Sequence, residues 1–138
     1  KPPESDEDLA CLFDAFGELA ERKDVCWVLG VDLAHIGKRY GDQDDAIAEL
    51  GRMAEVRRRD QERRARVSAA DADGYFELMH SDQDDLCWCG YAPIYAFFRS
   101  VGGIRGEVLS YEQWNIGPHS VVSFTGMKFV SNAEDGQL

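Results

Sequence analysis

Two short stretches concentrate the residue types that can ligate a metal or act as a nucleophile. Asp32-Leu33-Ala34-His35 sets a carboxylate three residues ahead of an imidazole. At that spacing the acid can accept a hydrogen bond from one ring nitrogen and leave the other to face a metal or a substrate. His35 also follows an apolar run, Val25 to Val31. Open α/β sheets bind ligands beyond the carboxyl ends of such strands. A loop histidine held by main chain alone fits the same residues, since no ligand motif is complete.

Cys89-Gly90 is the second stretch, and a helix beginning at Pro93 follows it closely. A thiol near a helix N-terminus is drawn toward thiolate, the form that attacks electrophiles and binds soft metals. A small buried hydrophobe in a tight turn fits equally well. Cys87 would point the other way in an extended segment, so the two thiols make a poor chelate. His80, near a predicted helix end, and His119, in a Gly-Pro-His turn, read as structural or surface positions. No Ser-His-Asp order, Walker loop, G-x-G-x-x-G or H-E-x-x-H occurs. Gly102-Gly103 with Gly106 lacks the lysine of a phosphate loop and reads as a turn.

The elements that must position these groups follow from apolar spacing. Leu9, Leu12, Phe13, Phe16 and Leu19 predict a helix over 6–22, with Ser5 as its cap. Val25 to Val31 predicts a strand covered on both faces, as in a parallel sheet. The polar stretch 32–42 reads as a loop. A long helix is expected over 44–66, with a stripe of Ile47, Leu50, Met53 and Ala54. Its arginines have Glu55, Asp60 and Glu62 four residues before Arg59, Arg64 and Arg66, so that face reads as solvated and self-paired. Helices over 72–80 and 93–101 follow, the second with proline at its first position. Strands over 107–114 and 120–130 close the chain, and a disordered tail is expected over 131–138.

The chain has 138 residues, 26 acidic against 15 basic, and a net charge of −11. That length predicts one domain. The acidity argues against sequence-independent binding to nucleic acid and against docking on anionic lipid. No apolar run reaches the roughly 20 residues a membrane helix needs. A soluble, cytoplasmic protein with reduced thiols is expected, because four cysteines with no C-x-x-C suggest neither a disulfide framework nor a zinc ribbon. The start at Lys1, without a methionine and in a polar stretch, suggests a fragment.

Taken together, Val31-Asp-Leu-Ala-His35-Ile-Gly-Lys-Arg-Tyr-Gly-Asp42, Cys89-Gly-Tyr-Ala-Pro-Ile94 and Ser120-Val-Val-Ser-Phe-Thr-Gly126 resemble the Memo family. The Arg/Asp-rich helix and Asp71-Ala-Asp-Gly-Tyr-Phe76 fit the same layout. The resemblance implies an α/β fold, the C-terminal half (1–130) of a three-layer αβα domain similar to class III extradiol dioxygenases. It implies a metal pocket with His35 and Cys89 as ligands and Asp32 behind the histidine. An imidazole and a thiolate suit iron or copper, with zinc possible, better than magnesium or calcium. Family members carry further pocket histidines in an N-terminal half to which nothing here corresponds.

The expected function is a metal-dependent redox or dioxygenase-like activity on an unidentified substrate. The alternative is a non-enzymatic binding or scaffold protein holding a peptide or small ligand in the same pocket, with Trp88, Tyr91 and Trp114 along the cleft. By resemblance to AmmeMemoRadiSam systems, a radical-SAM protein and an AMMECR-type protein are the expected partners.

Overall fold

The computed structural model describes residues 3–132. Helix α1 (Glu7–Ala20), preceded by a 3-10 turn, Pro3–Ser5, is followed by an irregular extended segment, strand β1 (His35–Gly37) and a second 3-10 turn, Lys38–Tyr40. Helices α2 (Arg52–Ser68), α3 (Ala72–Ser81) and α4 (Tyr91–Ser100) come next. A hairpin of β2 (Ile104–Asn115) and β3 (Ser120–Ser131) ends the fold. The chain is mixed α/β, with a three-stranded sheet in the order β1-β3-β2.

Every pairing in that sheet is antiparallel, so the parallel arrangement expected around Val25–Val31 is corrected. That run is extended and its side chains alternate between partly buried and exposed, with Val28 85% exposed. It forms no ladder among the described residues. Strand pairing begins only where Leu33 N–H donates to Ser123 C=O and Ser123 N–H donates to Ala34 C=O. β-Branched composition made the chain extended, but a ladder also needs a neighbour at hydrogen-bonding distance.

Antiparallel pairing sorts the side chains of β3 by parity. Val121 and Ser123, with Gln113 opposite Ser123 and Tyr111 two residues before it on β2, face the helices and the core. Phe97 and Phe98 of α4 pack on Phe129 from the same side, and α1 joins through Phe13 against Tyr95. The opposite face carries His35, Val122, Phe124 and Trp114, and Asp32, Arg39 and Tyr40 line the pocket on it.

The first helix is capped by Asp6, whose carboxylate accepts from Asp8 and Leu9 N–H, one residue past the expected Ser5. The long second helix starts at Arg52 and not at residue 44. Residues before it are claimed by β2: Ala48 N–H donates to Asn115 Oδ1 and Glu49 N–H to Gln113 Oε1. Gly51, at φ +55, then turns the chain into the helix. Ile47 and Leu50 are consequently exposed and do not form the expected stripe. The arginine face is paired, but largely not in the expected i,i+4 manner. Arg59 reaches Asp82 and Asp85, Arg66 reaches Asp71, and Asp60 is fully buried.

At the far end, Tyr91 opens α4, so Pro93 is its third residue and not its first. Ser131, assigned by sequence to the tail, belongs to β3, and Asn132 N–H donates to Gly103 C=O. The rest of that tail, 133–138, lies outside the described residues. No helix among the described residues is long and apolar enough to cross a membrane.

Candidate functional site

The short strand β1 exists because the chain passes directly over the end of the hairpin. Gly37, at φ +112, lets the strand turn away there. A Cβ at this position would strike His119 C=O and come within 2.7 Å of Ser120 Cα. Gly37 N–H is in turn held by Asp42 Oδ2 at 2.8 Å. This anchors His35 two residues upstream in register with Val122.

The imidazole of His35 is held by main chain. Its Nδ1 lies 2.9 Å from Leu33 C=O and 3.1 Å from Cys87 C=O. Both partners are acceptors, so Nδ1 carries the proton and Nε2 keeps its lone pair in the neutral ring. Nε2 is 3.9 Å from Asp32 Oδ2. Asp32 therefore meets the nitrogen that would face a ligand, and the carbonyls of Leu33 and Cys87 do the orienting that sequence had assigned to the acid.

Around the pair lies an open pocket of about 430 Å³, lined by Asp32, His35, Arg39, Tyr40, Trp114 and Phe124 among others. Tyr40 meets His35 edge-on at 4.9 Å, and Trp114 meets Phe124 in the same way, also at 4.9 Å. Trp114 is 58% exposed, and its Nε1 donates to Glu112. Such a surface can stack a planar group, present one imidazole nitrogen and offer both a carboxylate and a guanidinium.

Cys89 is exposed and does not line this pocket. Its segment is nevertheless knitted to that of His35. His35 N–H donates to Leu86 C=O, Cys87 C=O accepts from the imidazole, and Gly90 N–H donates to Asp32 C=O. Cys87 adopts φ +51 to make this possible. Its thiol is pushed up by partial burial, with Asp84, Asp42 and Asp85 nearby adding to the effect.

Trp88, between the two cysteines, fixes the segment from beneath. It is buried, so it does not line the cleft as the binding reading expected, and its Nε1 donates to Asp60 Oδ1 at 2.8 Å. Asp60 also accepts from Tyr111 OH at 2.8 Å and Ser123 Oγ at 2.6 Å. Burial and the adjoining Asp60 carboxylate push the Tyr111 phenol up, so it remains a donor. Tyr91 stays partly buried, packed against Tyr75 and Phe76. Sequence reasoning missed Tyr40 and Phe124. The turn after Gly37 brings Tyr40 to His35, and the register, which sets Phe124 one pleat from Val122, places Phe124 in the same pocket.

His35 Nε2 and Asp32 are chemically suited to one side of a transition-metal shell. Among the described residues no group of three or more His, Cys, Asp or Glu is arranged to hold an ion. A metal here would take further donors from outside that arrangement.

These features define an α/β protein with an open pocket on one face of a small antiparallel sheet, beside an Asp-x-x-His-x-Gly strand and a Cys-Gly loop. Residues 3–128 match the Memo-like protein family, and the chain belongs to it. No curated protein matches the chain.

Proposed function

We propose that this chain contributes His35 to a transition-metal site with a redox or dioxygenase-like role. The observation that supports this is the tautomer: two main-chain carbonyls hold Nδ1–H, so Nε2 is free to ligate beside Asp32. Cys89 is the second ligand suggested by the family, and iron or copper fits the pair better than a hard cation. A bound metal would supply electron-transfer chemistry, while His35 and Asp32 hold it and Arg39 and Trp114 receive a ligand. A radical-SAM protein and an AMMECR-type protein are the partners this reading carries, and the cytoplasm is its compartment. The test is anaerobic titration of the full chain with Fe(II) and Cu(I), repeated on His35→Ala and Cys89→Ser. Binding lost in both variants is expected; binding unchanged in His35→Ala would refute the assignment.

A second reading is favoured by the exposed Trp114–Phe124 pair beside the imidazole. It is a binding or scaffold protein that uses this face for a peptide or small ligand. Ligand binding that persists in chelator and perturbs Trp114 would select it.

A further inference from the structure

The loop that leads from α3 to the Cys-Gly segment is wound against the preference of its residues. Gln83, Asp84 and Cys87 stand at φ +52, +46 and +51, and none is a glycine. Left-handed backbone at such residues persists only where the surroundings hold it, and it gathers at functional sites. What the winding delivers is a pair of carbonyls. Leu86 C=O accepts from His35 N–H at 2.9 Å, and Cys87 C=O lies 3.1 Å from His35 Nδ1.

The cation that grips this loop is Arg63 of α2. Its side chain is 1% exposed, so a charge sits in the interior, where it is costly unless paired. Its Nη2 donates to Asp82 Oδ2 at 3.2 Å and to Asp85 Oδ1 at 3.3 Å, and its Nη1 stands 3.7 Å from Asp84 Oδ1. The guanidinium also lies over the Trp88 ring, 5.6 Å from its centre. One buried side chain thus meets every acid of 82–85 and the tryptophan between the two cysteines.

Asp84 connects Arg63 to the histidine. Its Oδ1 accepts from Trp88 N–H at 3.0 Å, and its C=O accepts from Cys87 N–H at 2.8 Å. Burial pushes the Asp84 carboxyl up, and the Trp88 N–H and the Arg63 charge oppose that. Arg59 does not duplicate this role. It is bonded to Asp82 and Asp85 from a more exposed position, and among the described residues Asp84 forms an ion pair with Arg63 alone.

We infer that Arg63 is a positioning residue of the His35 site: through Asp84 it fixes Cys87 C=O on Nδ1, and so keeps the imidazole lone pair on Nε2. Leu33 C=O also meets Nδ1, so losing Cys87 C=O weakens the preference without abolishing it. The consequence rests on the proposed role of His35, whose donor nitrogen would be set before anything binds.

The test is read by NMR on the full chain with no metal added. Two signals are followed. The ring nitrogen shifts of His35 give the ratio of its Nδ1–H and Nε2–H forms. The exchange rate of the His35 amide is compared with that of Ser123, whose N–H donates to Ala34 C=O and not to the loop. In Arg63→Met the tautomer ratio should fall by about threefold or more, the low end of what one hydrogen bond is worth. The His35 amide should exchange at least tenfold faster relative to Ser123. Arg59→Met strips the loop of two ion pairs but leaves Asp84 with Arg63, and should keep both signals at parent values. Phe13→Leu, which loosens the packing of α1 on Tyr95, should do the same. Faster exchange of both amides together, with the ring unchanged, would reduce Arg63 to general stability and overturn the inference. An equal shift in Arg59→Met would assign the effect to the charge of the whole loop and overturn it too. Where Arg63→Met does not fold, Arg63→Lys takes its place. One ammonium cannot meet all three carboxylates as the guanidinium does, so both signals should move the same way by at least twofold. Parent values in the lysine variant would overturn the role. Failure of His35 to bind Fe(II) or Cu(I) would overturn the proposed function and leave the tautomer result standing.

Discussion

His35 and Trp114 flank the same residue, Val122, from the two neighbouring strands: His35 pairs with it across β1/β3 and Trp114 across β2/β3. A short strand and a hairpin far along the chain therefore set an imidazole and an indole in one row on the open face. The row depends on the position of β1, and β1 depends on how it ends.

Gly37→Ala tests that dependence. Alanine at φ +112 is strained by about 1–3 kcal/mol before any clash is counted, and its methyl would also meet the backbone of His119 and Ser120. The variant should unfold at lower urea concentration, and the His35 ring resonances should shift toward those of an unrestrained histidine. An NMR spectrum of the ring that matches the parent would show that Gly37 does not fix the row.

The buried Asp60 carboxylate supports the second segment of the site through Trp88. Asp60→Ala leaves three donors, Trp88 Nε1, Tyr111 OH and Ser123 Oγ, without their acceptor. The expected loss is on the order of 3–5 kcal/mol, the scale of an uncompensated buried polar cluster. Asp60→Asn keeps one acceptor oxygen and should cost less. Urea unfolding of the two variants measures both, and a loss below about 1 kcal/mol in the alanine variant would reject this role.

Much of this was legible in the sequence, though unevenly. Helices α1, α3 and α4 follow from apolar spacing, and Phe13, Tyr75 and Phe98 are buried as that spacing expects, while Leu9, Leu12 and Leu19 of the α1 stripe stay exposed. The hairpin was readable from alternation. Asp60 was misread, because an acid four residues before an arginine looks like a surface pair, and only the arrival of Trp88, Tyr111 and Ser123 from far along the chain makes it a core residue. Val25–Val31 was misread because composition determines extension but not pairing. The placement of Phe124 in the His35 pocket depends on strand register, which no local pattern contains.

The acid side of stability should depend on Arg59. Its hydrogen bonds hold the Asp85 carboxyl below the usual carboxylate range. Partial burial pushes Asp82 the other way, but Arg59 and Arg63 outweigh it, and its carboxyl is also lowered. A carboxyl whose folded-state pKa is depressed stabilises the fold fully above its unfolded value, about 3.9. That contribution is lost as pH falls through the lower, folded-state value. Because both acids are partly exposed, about 1 kcal/mol or less is expected per pair. Urea titrations between pH 2 and 6 should show a decline toward acid that is shallower in Arg59→Met. An identical slope in the variant would place the acid sensitivity elsewhere.

The row of His35 and Trp114 makes the indole a reporter of whatever His35 holds. Of the three tryptophans, Trp88 is buried and Trp114 is the most exposed, on the pocket itself. Co(II) added to the chain should quench a solvent-exposed emission component, and Trp114→Phe should abolish the quenching while leaving binding intact. His35→Ala should weaken binding by tenfold or more, since even groups behind a metal ligand change affinity on that scale. Asp32→Asn tests the remaining donor. Its carboxylate helps to hold the ion beside Nε2, so the asparagine variant should lose affinity as His35→Ala does, and binding equal to the parent's would show that Asp32 is not a ligand. Quenching that survives His35→Ala would place the ion away from this face and leave the row to the binding of a planar ligand.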